Sequence, residues 1–516
     1  MELGFRLDRG SFQPLYVQIK EHLRRLIEKR LLLPGVKLPP SRDLALQLQV
    51  TRSTINSAYN ALLAEGLVVS EVGRGTFVSG KAVPASAPAR EPRDAPESDS
   101  AGFMDWSQQF SRLGRLPEPS FWQGVEPYVL RPQTISFIGG VPDSALFPID
   151  LFRRVLNTAL KKEGKALLQY GNASGYPPLK RYLSTYLLSL GIEASERSIL
   201  IVNGSQQGLD LLARVFLDPG DSVVVENPSY PGALDIFRSS RAELLPVPMG
   251  EDGLNRESLR RILQRQRPKF IYTMPTFHNP TGITLSADGR RELLDLAGQY
   301  QVPIVEDDYD GELRYEGPRL LPLKGLDTSN LVIYTGTFSK ILFPGLRLGW
   351  IVGAEPVMER LLVAKQISDL QTSPVLQAAL FHFCRQGQLQ KHMERIRKEY
   401  RGRRDLLLES LKKHMPSGVS WTRPSGGLSL MLRLPEPLSS LELLPKAGEE
   451  GVVFLPGPIF FAAGGGERDL RLSFSAVPAG RIEEGVRRLS RVVRRMISDY
   501  RHKTAKTQAR ERTPVL

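Results

Sequence analysis

Apolar residues recur at helical spacing through residues 13–29, where Leu15, Ile19, Leu23, Leu26 and Ile27 share one face, and Pro34-Gly35 ends the turn that follows. A second helix is predicted from Ser41, with Leu44, Ala45 and Leu48 inward; a third, capped by Thr51 or Ser53, turns Ile55, Ala58, Tyr59 and Leu62 inward. Residues 67–78 then read as two short strands around Gly73-Arg74-Gly75. Periodicity stops at residues 81–101, where Pro, Ala, Ser and charge take over, so 81–133 reads as a linker followed by an extension of weak helical character. From Thr134 short β-branched runs alternate with long amphipathic helices, the pattern of an α/β domain on a mainly parallel sheet. Strands are predicted at 198–202, 222–226, 269–273, 302–306, 331–335 and 348–352. Strand-like segments at 425–434, 451–455 and 470–475, before a closing helix, predict a smaller α+β lobe. The predicted domains are 12–80 and 134–500, with a basic tail at 501–516.

A chain of 516 residues has room for two to four domains, and 41% apolar with 24% charged residues is an ordinary globular composition. The richest apolar stretch, residues 451–465, is broken by Pro456, Gly457 and Pro458, so no membrane span is expected. The start, MELGFRLDRG, has no secretory pattern, and a cytoplasmic location is expected. One cysteine, Cys384, and six scattered histidines offer no metal site. The net charge of +14 favours polyanionic partners, but residues 485–516 hold ten Lys and Arg against two acids, more than half the surplus. There Arg487, Arg488, Arg491, Arg494 and Arg495 alternate with Val486, Leu489, Val492, Val493 and Met496 at helical spacing, which reads first as the solvated face of a last helix.

The first segment carries a more specific signal. Two short helices around the tight QVTR turn fit a helix-turn-helix, whose second helix would present Arg52, Ser53, Thr54 and Asn56 to the major groove, and the two strands form a wing. The text PLYVQIKEHLRRLI, PGVKLPPSRDLA, VTRSTINSAYNALLAEGLV and GRGTFV resembles the GntR family of bacterial winged-helix regulators over about residues 12–80. The resemblance implies a double-stranded DNA operator as partner, with Arg42 and Arg52 on phosphates or base edges, Ser53 and Thr54 on the recognition helix, and Arg74 and Thr76 on the wing. Gln49 stands in the turn where the family often has Gly or Asn.

In the large domain, TGTFSKILFPGLRLGW runs a strand into a turn around Lys340, an amine that can form a Schiff base once its charge is suppressed. Thr337 and Ser339 offer hydroxyls and Arg347 a fork of donors, all suited to a phosphate. Upstream, Ser205 and Gln206 open a helix after a strand, where free N–H groups and the helix dipole can hold an anion. Tyr230, in ENPSY, can stack on a planar cofactor. Asn279, in HNPTG, and Tyr309, in VEDDYDGELRY, can reach a phenolic oxygen, and Asp307 can keep a pyridine nitrogen protonated. Arg471, in DLRLSFS, suits bidentate binding of a carboxylate. Singly, these residues also fit core aromatics, a loop carboxylate pair and a structural ion pair.

The five blocks in this order resemble fold-type I aminotransferases over about residues 135–500, and the whole chain resembles the MocR/GabR subfamily of GntR regulators. The resemblance implies a fold-type I, pyridoxal 5'-phosphate-dependent domain behind the winged helix. In it Lys340 is joined to the cofactor, Asp307 pairs with the pyridine nitrogen, Asn279 and Tyr309 bind the 3'-oxygen, and Tyr230 stacks on the ring. Ser205, Gln206, Thr337, Ser339 and Arg347 hold the phosphate, and Arg471 takes the carboxylate of an amino acid, with Gly140 lining its pocket. Tyr170 is implied to reach the phosphate from a partner subunit, hence a homodimer. Two functions remain open at this stage: a regulator that senses an amino acid or amine, and an active aminotransferase bearing a DNA-binding arm. A third, a sensor of the cofactor itself, needs no Arg471. The HNPTG text is the form common in active aminotransferases.

Overall fold

The computed structural model describes residues 15–28, 32, 35–48, 50–71, 75–79, 106–111, 113–115 and 133–511. The chain divides into two units, Met1–Met104 and Asp105–Leu516. In the first, helices α1 (Leu15–Glu28), α2 (Ser41–Gln47) and α3 (Arg52–Ala64) precede strands β1 (Val68–Glu71) and β2 (Gly75–Val78). Ile19, Leu23, Leu44, Ile55, Ala58 and Leu62 form its core together with Val68 and Val78. Thr51 is the cap of α3: its Oγ1 accepts from Thr54 N, which ties off one of the donors a helix start leaves without an internal partner. The strands pair antiparallel, Val68 opposite Val78. Leu38 N donates to Thr76 O and Val78 N to Val36 O, so the segment before α2 lies along the wing. The predicted linker at 81–101 lies outside the described residues. Of the extension, the described parts include two short 3-10 turns, Trp106–Gln108 and Leu113–Arg115.

The second unit opens with β3 (Ile135–Ser136) and is built on an eight-stranded sheet. Its strands are β4 (Ile199–Val202), β5 (Ser222–Asn227), β6 (Glu243–Gly250), β7 (Gly253–Leu254), β8 (Phe270–Thr273), β9 (Ile304–Asp308), β10 (Val332–Thr337) and β11 (Gly349–Val352). The spatial order is β4-β11-β10-β9-β8-β5-β6-β7. Strands β10, β9, β8, β5 and β6 run parallel, while β11 is antiparallel to both of its neighbours, so β4 again points the same way as the parallel set. Helices covering both faces explain the unbroken apolar runs, since β4, β8 and β11 are buried at every position. The six predicted strands all exist, shifted by no more than two residues at either end. The missed β6 contains Pro246 and Pro248 and lies next to the sheet edge, where proline is tolerated.

The smaller lobe is a four-stranded antiparallel sheet ordered β12 (Ser420–Trp421), β13 (Ser429–Arg433), β16 (Asp469–Ser473) and β15 (Leu455–Pro456). The single strand predicted at 451–455 is two: β14 (Val452–Val453) pairs with β3, and β15 joins β16. Phe454, fully buried between them, fills the corner where the chain changes sheets. The pairing of β3 with β14 carries residues 137–140 onto the lobe, where Phe137 O accepts from Ser473 N. The closing helix, Ala479–Glu511, buries Val486, Leu489, Val492, Val493 and Met496, while Arg487, Arg491 and Arg495 face solvent and pair with Glu484 or Glu450.

Arg290, on the helix Ala287–Tyr300, has no exposed surface, and its guanidinium stitches together the loops that leave the sheet. Nε donates to Leu285 O at 3.1 Å, Nη1 to Leu321 O at 3.1 Å, and Nη2 to Pro275 O and Thr276 Oγ1, both at 2.8 Å. Nη1 also lies 3.9 Å from Glu306 Oε1, itself fully buried. Burial pushes the Glu306 carboxyl up to about 7, against the pull of Arg290 and of two backbone donors, Lys324 N and Leu323 N. Breaking a buried pair from one side leaves an uncompensated charge. Arg290→Met is therefore expected to cost roughly 3–5 kcal/mol, measured as a fall in the denaturant midpoint. Adding Glu306→Gln should recover part of that loss.

Candidate functional site

All the loops that matter leave the same edge of the large sheet, the end at which open α/β sheets bind ligands. Lys340 follows β10 and donates from Nζ to Gly140 O at 2.7 Å. Burial, helped by the nearby Arg471 and Arg347 cations and opposed by Asp310 and Asp307, pulls its ammonium down to about 8. Asp307, near the end of β9, accepts from Tyr272 Oη at 2.8 Å and Thr335 Oγ1 at 3.2 Å. Burial raises it to about 6, while those hydroxyl donors and Lys340 favour the carboxylate.

An anion cradle lies at the turn from β4 into the helix Ser205–Phe216. Its N-cap is Gly204 at φ +85°, which contributes no side-chain cap, so the first-turn N–H groups remain available. Arg347, itself in the left-handed region, donates to Asn203 O at 3.0 Å. A Cβ on Gly204 would come within 2.6 Å of Arg347 Nη2, so only glycine lets the guanidinium lie over the turn. Thr337 and Ser339 are buried, with Thr337 Oγ1 lying 3.0 Å from Ser339 Oγ and accepting from Ser339 N. Tyr230 Oη donates to Gln206 Oε1 at 3.1 Å, joining that aromatic ring to the cradle; burial pushes its phenol up to about 12.

Arg471 lies on β16 and is buried. Nη1 donates to Asn279 Oδ1 at 2.8 Å, Nη2 to Ile138 O at 2.6 Å and to Gly139 O at 3.1 Å, and the guanidinium sits 5.3 Å from the Phe460 ring centroid. Nε has no hydrogen-bond partner, and no carboxylate among the described residues pairs with this arginine. Burial pulls it down to about 10. Gly140, against the guanidinium, sits at φ +83°, the left-handed region that favours glycine. Tyr309 donates to Phe277 O at 2.8 Å. Lys340, Asp307, Asn279, Tyr309, Tyr230, Arg347 and Arg471 are thus gathered by one sheet edge and the adjoining lobe. Tyr170 is not: it is 80% exposed.

Sequence reasoning missed the groups that hold this set. Tyr272 hides in an apolar strand. Asn203 and Gln207 donate to Asp369, which pairs with the fully buried Lys365 at 2.7 Å behind the cradle. In sequence Lys365 and Asp369 look like an ordinary i,i+4 surface pair. Asp310 is buried beside the Tyr309 phenol, and burial pushes it well above the carboxylate range. Glu226 and His278 sit beside recognised motif residues.

In the first unit Arg42, Arg52, Ser53 and Asn56 are exposed, and Thr54 and Thr76 half-buried; Arg74 lies outside the described residues, as does Gln49. Arg52 Nε reaches Ser41 Oγ at 3.3 Å, joining the starts of α2 and α3. The Ser53 and Thr54 hydroxyls both contact Thr51 Oγ1 at 2.8 Å. Among the described residues no helix is long and apolar enough to cross a membrane.

Residues 144–489 match the family described as aminotransferase class I and II, and residues 15–78 match bacterial regulatory proteins of the gntR family. The chain is 38% identical to aromatic-amino-acid aminotransferase 1 of Thermococcus litoralis, over 77% of this chain and 97% of that one. It is 31% identical to the probable rhizopine catabolism regulatory protein MocR of Rhizobium meliloti, over 94% of both. The α-aminoadipate aminotransferase LysN of Thermus thermophilus, solved with N-(5'-phosphopyridoxyl)-L-leucine, superposes with a TM-score of 0.71 at 36% identity, covering 77% of this chain and all of that one. The aminotransferase relatives cover 77% of this chain, whereas MocR covers 94% of it and so reaches both units. The chain therefore belongs to the class I and II aminotransferase family, in the MocR-type branch where a DNA-binding gntR-family domain precedes a pyridoxal phosphate-dependent aminotransferase-like domain.

Proposed function

We propose that this protein is a transcriptional regulator that binds an operator through residues 12–80 and senses an amino acid or amine through pyridoxal 5'-phosphate held in residues 134–500, with 81–133 as linker and extension and 501–516 as a basic tail. The carrying observation is the buried Arg471, paired with no carboxylate among the described residues, beside Lys340 and Asn279 in a chain that also has a winged helix. The residues fit the cofactor by their donor chemistry. The uncapped helix start with Ser205 and Gln206, together with Arg347, Thr337 and Ser339, suits a phosphate dianion. Asp307, supplied with two hydroxyl donors, suits a pyridinium. Asn279 has its oxygen occupied by Arg471, which leaves its amide hydrogens for the ring oxygen shared with Tyr309, and Tyr230 supplies a ring to stack on.

When bound, pyridoxal phosphate supplies an aldehyde that captures amines and a ring that withdraws electrons. Lys340 is the amine that holds it. Arg471 and Gly140 receive the effector's carboxylate, which would give the buried guanidinium its missing counter-charge. Once displaced, Lys340 Nζ is a base of nearly neutral strength positioned to take a proton from the effector's α-carbon. The aminotransferase reading requires that transfer, and the sensor reading stops before it. The presence of Asn279 and the naming of the relatives as aminotransferases keep the enzyme reading alive beside the first.

A homodimer completes the proposal. Tyr170 and Leu168, 80% and 73% exposed, adjoin Gly171, whose N donates to Gln371 Oε1, next to the exposed Leu370. Such an apolar patch suits burial against a second copy, where Tyr170 would reach the partner's phosphate cradle.

Titrating cofactor-loaded protein with a panel of amino acids, while following the visible absorbance and any oxo acid released, separates the readings. A shifted band that persists without product supports the sensor; oxo acid appearing in step with loss of the band supports the enzyme. Lys340→Ala should abolish the covalently held yellow chromophore. In the wild type, cofactor uptake should quicken roughly tenfold per pH unit below about 8 and level off above it, because only the neutral amine attacks; a flat profile would contradict the role of Lys340. On the DNA side, Arg52→Ala should weaken operator binding by about 1–3 kcal/mol, read by fluorescence anisotropy across a salt series. Unchanged affinity and an unchanged salt slope would remove Arg52 from the interface.

A further inference from the structure

Glu226 and His278 are buried to 2% and 1% exposure, and neither faces any role assigned above. Glu226 lies at the end of β5, four residues before Tyr230; His278 immediately precedes Asn279. Glu226 Oε1 accepts from Thr273 Oγ1 at 2.6 Å, and Oε2 from Met274 N at 2.9 Å. His278 Nε2 stands 3.2 Å from the same Oε2, approaching obliquely, so it makes no aligned hydrogen bond. The other ring nitrogen, Nδ1, lies 2.8 Å from Thr281 Oγ1, which also accepts from Ile283 N at 3.2 Å.

One proton arrangement pairs Nδ1 with the Thr281 hydroxyl and turns Nε2 toward the Glu226 carboxylate, 3.2 Å away. Thr281 Oγ1 accepts from the backbone and donates its hydrogen to Nδ1, so the ring proton sits on Nε2, facing Glu226, the acceptor within reach. The backbone closes around the same residue: His278 N donates to Ile283 O at 2.8 Å and Gly282 N to His278 O at 2.5 Å.

We infer that Glu226, His278 and Thr281 form a buried relay that fixes the direction of the Asn279 amide and locks the Asn279 loop to the Tyr230 loop. These are positioning residues, acting through Asn279, and the inference rests on the cofactor reading above. The exits of adjacent strands β5 and β8 become one rigid piece, so Asn279 can present its oxygen to Arg471 and its amide to the cofactor without rotating away. A glutamine at 226 would turn an N–H donor toward at least one of the donors the carboxylate accepts.

The first test uses the full chain without cofactor. Nitrogen-15 spectra of the six histidines, with H278Q to assign the resonance, should show His278 as the Nε2–H tautomer at neutral pH, and E226Q should abolish that preference. The second uses cofactor-loaded protein. Losing a donor to the ring oxygen should raise the pH midpoint of the visible absorbance by about 1 unit in E226Q, H278Q and T281V, with T281S close to wild type and the E226Q/H278Q pair no worse than either alone. Cofactor affinity should change by less than about threefold, since the phosphate cradle is untouched. A wild-type midpoint in an E226Q protein with native melting behaviour, or an Nδ1–H tautomer, would overturn the relay. A Lys340→Ala protein that still holds the cofactor covalently would instead overturn the cofactor reading, leaving the tautomer result standing.

Discussion

A guanidinium buried without a counter-ion is the constraint around which the site is organised. Arg471 reaches from the small lobe to the Asn279 loop of the large sheet and to the chain entering at residues 138–139, and it receives only neutral oxygens from them. Neutral dipoles offset part of the desolvation cost of such a charge, and burial has already pulled the group down to about 10. On the proposed reading, a carboxylate-bearing ligand would bring the missing anion. Three chain segments far apart in sequence are therefore held to one point whose stability improves when that ligand arrives, which is the physical requirement for a ligand to favour one arrangement of two lobes over another.

The same economy of charge explains the sheet edge. Asp307, Asp308, Asp310 and Glu306 crowd around the end of β9, and burial raises all four. Each has a different answer to the problem: Glu306 has Arg290 and two backbone donors, Asp308 accepts from Tyr334 and Gly311 N, and Asp307 has Tyr272 and Thr335. Asp310 has the Tyr309 phenol beside it, and burial pushes it well above the carboxylate range. Environment alone thus sets chemically similar carboxyls apart by the partners each is given.

Much of this was legible in the sequence where chemistry and pattern coincide. Buried parallel strands read as uninterrupted apolar runs, so their positions were predictable to within two residues, and Lys340, Asp307, Asn279 and Arg471 stood out as polar or charged residues in or just after apolar strands. What stayed hidden has physical reasons. Pro246 and Pro248 masked a strand near the sheet edge, and a corner at Phe454 divided one apparent strand between two sheets. Arg290 and Lys365 are charged residues in amphipathic helices, and nothing local distinguishes a fully buried cation from a solvated one. The partners of Arg290 lie 5 to 31 residues away, and Asp369, which pairs with Lys365, also takes donors from Asn203 and Gln207, 166 and 162 residues away. The choice of Thr51 over Ser53 as the cap of α3 also needed coordinates, since both hydroxyls sit at plausible positions.

Whether such a site signals or turns over depends on the fate of one proton. Lys340, pulled to about 8, is neither so acidic that it fails as a base nor so basic that it stays charged near neutrality. Its amine hydrogen-bonds to Gly140 O, within the segment that also contacts Arg471, so the base and the carboxylate receptor share a wall of the pocket. On the proposed reading, a carboxylate settling on Arg471 would bear on the segment that also holds Lys340. Transamination needs the α-carbon brought within reach of that amine, a condition of geometry finer than the binding of a carboxylate. Sensing asks only that binding favour one arrangement, and a pocket that meets the second demand without fully meeting the first becomes a receptor while keeping every residue of the enzyme.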